Sequence, residues 1–530
     1  MHRTECRPLE DTVIASGNPS LKNALFARPV PVSILMACFN FLTCYFRSFV
    51  SVKVPLVLWG DQIGFFYDGS RMVLGQLPYR DYFKIVPPAT DLTYAVLIRA
   101  FGVRMWIPNL LMASLAALAA LVMTLIASRL MRGPIILLPG LLLASAILVI
   151  ATDATHHWFS TIAILAALLV MMEGITFPRI AAVGALCGVA ACYTQSNGAM
   201  AIAAFVVYLV AHASRQSEMP SKGAWPKSLL LCGVATAVFA AANLYFIQAA
   251  GLRMWLYCLV VYPLRYYYAQ PNNNWRVLID GFPPHPSLIT WVVFSFVYVT
   301  VPMVYVVFFA GSRKLSKKEG AKRLDLLLLV AITGVAMFLS VVSAPSVKRL
   351  VTVSPPAIIL LAWLLNRPGK AVAGFKILLA GAAFALAIAV PVHLQMRSLF
   401  YLDLPAGRAA LFDPDLYVEY RWLLENTHPG EYFFGLPLFY SPFHMQNPAP
   451  VLDFWTSDYT RPWQVAALVD ALQSHDVPML VLRRTNDFLW ARGSPSDHLE
   501  PLRVYVSQNY RLAKTFPTRD EVWLRVGGSN

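Results

Sequence analysis

Trp59-Gly-Asp-Gln-Ile-Gly-Phe-Phe-Tyr-Asp68 and, a few residues on, Leu77-Pro-Tyr-Arg-Asp-Tyr-Phe-Lys-Ile-Val-Pro-Pro-Ala-Thr-Asp91 set four carboxylates (Asp61, Asp68, Asp81, Asp91) between two apolar runs. The run upstream, about Val30 to Leu58, is long enough to cross a ~30 Å hydrocarbon layer. The next opens near Trp106. Charge held against a bilayer face is expensive, so it marks a functional site by default. The stretch therefore predicts a membrane protein whose chemistry lies in its first loop, 56–105.

Composition agrees. Of 530 residues, 58% are hydrophobic and 13% charged, whereas soluble domains carry about 25% charged residues. The net charge of +15 is unevenly spread. Residues 1–397 hold 32 Lys/Arg against 13 Asp/Glu, and residues 398–530 hold 11 against 15. A basic membrane part and an acidic tail reflect topology rather than a nucleic-acid-binding face. Seven cysteines fall almost wholly in or beside apolar segments, without a disulfide framework or a CxxC pattern.

Eleven spans are expected, at about 30–55, 106–128, 134–151, 157–173, 179–195, 198–212, 228–249, 288–310, 325–342, 350–365 and 371–392. Loops carrying Arg129 and Arg132, Arg179, Arg215, Arg313 to Arg323, and Arg367 with Lys370 alternate with short loops, 152–157 and 193–197, that have no Lys or Arg. Positive-inside bias puts residues 1–29, read as a cytoplasmic lead, inside and residues 397–530 outside. The expected fold class is mainly α: a polytopic helix bundle, 30–396, followed by a small α/β domain on the outer face. In that domain, helices are expected over 413–426, 462–474 and 498–509, and strands over 432–435, 479–482 and 522–526.

Two outer segments depart from the bias. The first loop holds Arg71, Arg80 and Lys84, and the 251–287 loop holds Arg253, Arg265 and Arg276. Lys348-Arg349 also sits at a short outer loop, where the rule should hold, and an anionic partner such as a phosphate would explain it. Asp61 and Asp68, seven residues apart, share one face of a helix over 61–74. Pro87-Pro88 opens a second interfacial helix reaching about Phe101, with Asp91 placed either to stabilise its N-terminus or to bind substrate. Asp153-Ala-Thr-His156-His157 offers either a divalent metal ion site that includes Asp153 or a substrate-orienting or structural role. Tyr266 or Tyr267 is a candidate for direct stacking on a bound ligand.

The run from Asp61 through Leu77-Pro-Tyr-Arg80-Asp81-Tyr82-Phe, Pro87-Pro88 and Arg99-Ala-Phe-Gly resembles the GT-C superfamily. It is similar to bacterial relatives of the protein O-mannosyltransferases and lipid A aminoarabinose transferases. Tyr193-Thr-Gln195-Ser-Asn197-Gly resembles their polar break between later spans. The resemblance implies an inverting glycosyltransferase at the outer face of a bacterial cytoplasmic membrane. Its donor is a polyprenyl phosphate sugar, its acceptor a glycan, lipid or protein, and its catalytic base Asp61. The chain departs from the pattern at Ile85-Val86, where many relatives have Glu-Lys, so Lys84 or Lys348-Arg349 is expected to take the donor phosphate. A transporter or lipid-handling protein is the alternative, and a membrane-anchored sensor a further one.

Overall fold

The computed structural model describes residues 28–57, 60–216, 221–270, 273–280, 287–315, 320–366, 369–483 and 496–527. Trp59, the Pro283–Pro286 run, Lys317, Lys318, Arg367 and most of the expected N-terminal lead lie outside them. The chain is a polytopic helix bundle. Seven helices are long and apolar enough to cross a membrane, a bent pair (Val347–Val353 with Pro355–Leu365) makes an eighth, and three shorter apolar helices occur at Pro134–Ala146, His156–Met172 and Phe177–Tyr193. Each of the eleven expected segments coincides with one of these.

The first span is helix α1, Pro29–Ser48, and it stops short of the expected boundary. Phe49 turns extended, and strands β1 (Phe49–Val50) and β2 (Val54–Pro55) pair as a hairpin. Ser51 and Val52 take the left-handed conformations of its tight turn. Gln395 Nε2 donates to Phe46 O and Phe49 O, and Asn109 Nδ2 donates to Ser48 O and Leu56 O. These side chains satisfy carbonyls that the ended helix leaves open.

The first loop folds as anticipated, into α2 (Gln62–Val73) and α3 (Ala89–Phe101). Gly69 lets the two helices close on each other, because a Cβ there would lie 2.6 Å from Tyr94 Cβ. The second span, α4 (Trp106–Leu130), follows. The 134–151 segment is shorter and less regular than expected. Pro134 and Pro139 break its start, and it ends in a π-turn at Ile147. Next come α5 (His156–Met172), α6 (Phe177–Tyr193) and α7 (Gln195–Gln216). Gly184 and Gly188, four residues apart on α6, let the helix Ser221–Ala250 approach closely; a Cβ at either would meet a backbone oxygen at 2.7 Å. Small residues of this kind drive helix association where the solvent is itself apolar.

The tail holds the three anticipated helices, at Pro414–Asn426, Pro462–Ser474 and Glu500–Asn509. It adds a hairpin of β3 (Phe400–Leu404) and β4 (Gly407–Leu411), and an antiparallel sheet in the order β5-β7-β6 from β5 (Met479–Arg483), β6 (Tyr510–Thr515) and β7 (Asp520–Arg525). The strand expected at 432–435 does not form. Only single bridges, Tyr432 to Gln446 and Phe434 to Leu480, run there, although Phe433 and Phe434 enter two separate cores with the alternation of an extended chain.

The tail docks on the first loop. Val57 N donates to Ala410 O, Phe83 N to Pro450 O and Met105 N to Ala406 O. The Tyr67 ring stacks on Tyr440 at 4.5 Å, and its hydroxyl accepts from Asn447 N. First loop and tail therefore occupy the same side of the bundle.

Candidate functional site

The four first-loop carboxylates have different environments. Asp81 is closed off locally: Arg80 binds it at 2.7 Å and Leu77 N donates to it at 2.7 Å. Both Arg80 and Asp81 sit at the loop's rim, Arg80 being exposed. Asp68 and Asp91 are buried and share one cation. Lys84 Nζ lies 2.5 Å from Asp68 Oδ2 and 3.0 Å from Asp91 Oδ1, over the Phe65 ring at 4.0 Å. Burial opposes the Lys84 charge, yet the two carboxylates outweigh it and hold the ammonium above the usual lysine range. Burial pushes Asp91 up in spite of Lys84. Lys84, expected to meet a phosphate, is thus engaged by two carboxylates, and Asp91 is an ion-pair partner as well as a helix-end charge. Tyr82 is buried beneath the Arg71 guanidinium, 4.5 Å from its ring centre.

Asp61 is different. It is exposed at the start of α2, and among the described residues its carboxylate has no hydrogen-bond or ion-pair partner. Asp61 and Asp68 share a helix face as the spacing requires, but only Asp61 remains free. Its position is fixed by its neighbours. Gln62 Oε1 accepts from Ala154 N at 2.9 Å, tying α2 to the loop before α5. Gly60 has φ +115°, and a Cβ there would lie 2.8 Å from Asp153 Oδ2 and 3.2 Å from Lys348 Nζ. Glycine thus brings the backbone beside Asp61 into contact with both groups.

Asp153 lies 3.7 Å from Lys348, and burial raises its pKa while Lys348 lowers it and the Asp61 charge raises it further. Arg349 donates to Asn273 Oδ1 at 2.8 Å and to Ala344 O, with the Tyr267 ring 5.5 Å away, so it ties Asn273 and Tyr267 to the start of the Val347–Val353 helix. Burial raises Tyr267, Arg349 lowers it and Asp61 raises it. Asp61, Asp153, Tyr267, Lys348 and Arg349 thus lie near one another. His156 is buried, with Nδ1 2.8 Å from Thr194 Oγ1, and its ring lies 3.9 Å from that of His157. Asn197 links Ser160 to Ser340, and Gln195 Nε2 donates to Ile85 O at 3.0 Å, so these two polar residues join helices to the first loop. Arg265 is exposed, with no contact to the group among the described residues. Among the described residues no three His, Cys, Asp or Glu gather in a way that could hold a metal ion, and Asp153 faces a lysine instead.

The tail contributes groups that the sequence reading missed. Asp453 accepts from Trp455 Nε1 at 3.0 Å. Burial raises it to about 6, Trp455 lowers it, and Asp61 adds a smaller upward push. Burial likewise raises Tyr459, which also feels Asp61. An acid directly before two aromatics, Asp453-Phe454-Trp455, was the available signal, but nothing local joins it to the first loop.

Compared with solved structures, the chain matches ArnT from Cupriavidus metallidurans in two states. With the apo form the TM-score is 0.58 at 13% identity, covering 94% of this chain and 99% of that one. With the form bound to undecaprenyl phosphate it is 0.53 at 13% identity, covering 94% and 98%. The chain has the ArnT fold. It is a polytopic helix bundle of the kind that the first loop led one to expect, and the match extends through the tail. No protein-family model matches the sequence, and no curated protein matches it at sequence level.

Proposed function

We propose that this chain is a glycosyltransferase that moves a sugar from a polyprenyl phosphate to an acceptor hydroxyl at the outer face of a bacterial cytoplasmic membrane, with inversion. The observation that carries this reading is the unpaired Asp61 carboxylate beside Lys348, Arg349 and Asp153, in the ArnT fold. ArnT itself is seen with undecaprenyl phosphate bound. Asp61 accepts the acceptor hydroxyl proton as the oxygen attacks the anomeric carbon. The bond from that carbon to the phosphate oxygen breaks, and the lipid phosphate leaves with its charge offset by Lys348 and Arg349. No step is routed through a metal. A transporter would place its ionisable groups near mid-span. Here a second polar cluster, Asp325 with Tyr208, His212 and Arg215, joins the end of α7 to the first turns of Ala321–Ser340, remote from the first loop.

Lys348 is half-exposed and held only at 3.7 Å, so its charge is available to a ligand. Lys348→Glu is expected to raise the donor KM about tenfold or more, the scale of losing one charge-assisted contact, with little loss of thermal stability. Unchanged donor kinetics would leave Lys348 with a lipid-headgroup role only.

Orientation is part of the same proposal, with the tail outside. In a cysteine-free background, Cys at exposed Ser507 in the tail should react with a membrane-impermeant maleimide on intact cells, and Cys at exposed Ser214 near the end of α7 should not. The reverse pattern would invert the topology and remove the outer-face site.

A further inference from the structure

The tail segment 450–463 packs on the first loop close to Asp61. Phe83 N donates to Pro450 O, and Leu452, which shares a core with Ile63, reaches the Gly64 position at 4.0 Å, one turn beyond Asp61. Tyr262 OH donates to Tyr459 O, Phe83 meets Trp463 edge-on at 5.8 Å, and Arg461 lies over the Tyr266 ring at 4.1 Å. Asp453 follows Leu452 in a segment anchored at both ends, near enough to feel the Asp61 charge. Its carboxylate keeps solvent access although protein surrounds it at longer range, the condition of a residue lining a cleft. One oxygen is fixed by the Trp455 indole, and no cation pairs with it among the described residues.

A carboxylate held by the Trp455 indole and the Phe454 backbone N–H, still reached by solvent and bordered by aromatic rings, suits a particular ligand chemistry. It accepts hydrogen bonds from vicinal hydroxyls while ring faces pack on the apolar C–H surface of a sugar. We propose that Asp453 is a positioning residue of the tail that binds the hydroxyls of a sugar ring in the cleft, with Tyr459 and Tyr267 as its neighbours. This rests on the transferase reading above, and it assigns to the tail a contact with substrate that the sequence did not suggest. The ring belongs either to the donor or to a glycan acceptor, which present the same hydroxyl chemistry.

The test uses the purified full chain. Undecaprenyl phosphate binding is measured first for wild type, Asp453→Asn, Asp453→Glu and Trp455→Phe; all four are expected to agree within about twofold, since none touches the cationic side. Steady-state transfer is then measured with undecaprenyl phosphate linked to mannose, glucose or arabinose. Asp453→Asn should raise the KM of the sugar-bearing substrate it contacts by about 10- to 100-fold, as loss of a charge-assisted hydrogen bond does, with kcat changed less than threefold. Asp453→Glu should recover part of the loss, and Trp455→Phe should show a smaller one. A raised donor KM identifies the donor ring, and a raised acceptor KM the acceptor. Unchanged KM values, or a collapse of kcat at constant KM, would overturn the inference. If wild type transfers none of these sugars, the transferase reading fails separately, and the inference is decided by saturable binding of methyl mannoside, glucoside and arabinoside. Loss of that binding in Asp453→Asn sustains it, and equal or absent binding in wild type and variant overturns it.

Discussion

Asp61→Asn is expected to lower kcat for sugar transfer by roughly 10²- to 10⁴-fold, the range contributed by a positioned general base. The substitution keeps the shape of the side chain and removes only its ability to take a proton. Folding should be almost unaffected, because Asp61 is exposed and makes no side-chain bond among the described residues; surface changes of this kind usually stay within about 0.5 kcal/mol. Undecaprenyl phosphate binding should persist or tighten, since a negative charge near the phosphate is removed. The same substitution at Asp81, which is committed to Arg80 and Leu77 N, should have a far smaller effect on rate. Single-turnover transfer by detergent-purified protein separates these outcomes. Full activity of Asp61→Asn would remove the base assignment and leave Asp153 and Asp453 as the carboxylates to examine.

Much of the bundle was legible because membrane helices announce themselves by length and apolarity, which are local properties. The first loop was legible for a related reason: Pro87-Pro88 and the seven-residue spacing of Asp61 and Asp68 set α2 and α3 without outside help. Boundaries were less so. Val52-Lys53-Val54 reads as the end of an apolar run, yet Gln395, far along the chain, makes a hairpin the better solution for the backbone there. The role of Lys84 was also hidden. Its residue type suggested a phosphate, whereas its partners, seven and sixteen residues away, are brought to it only by the closure of α2 on α3 at Gly69. Asp453 lay furthest from view, because its meaning depends on a contact between segments nearly four hundred residues apart.

Lys84→Met is expected to be the most destabilising single change in the first loop. It leaves Asp68 and Asp91, 1% and 0% exposed, facing each other without their shared cation. Asp68 Oδ1 and Asp91 Oδ2 already lack hydrogen-bond partners, so little else can offset the loss, and removing one member of a buried ion pair costs about 3–5 kcal/mol. The pH dependence has a definite sign. Burial raises Asp91 in the folded state even with Lys84 present, and without Lys84 it must rise further. A carboxyl group raised on folding binds more protons in the folded state, so its contribution is present at low pH and is lost as pH rises through the folded value. The gap in Tm between Lys84→Met and wild type should therefore be large near pH 8 and narrow toward about pH 5. Lys84→Met combined with Asp91→Asn should recover much of the loss at pH 8, because one buried charge is gone. Transfer activity should fall with stability, since α2 carries Asp61 and is held against α3 through this pair of bonds. Equal melting of Lys84→Met and wild type at pH 8 would show that the three charges do not hold the loop together.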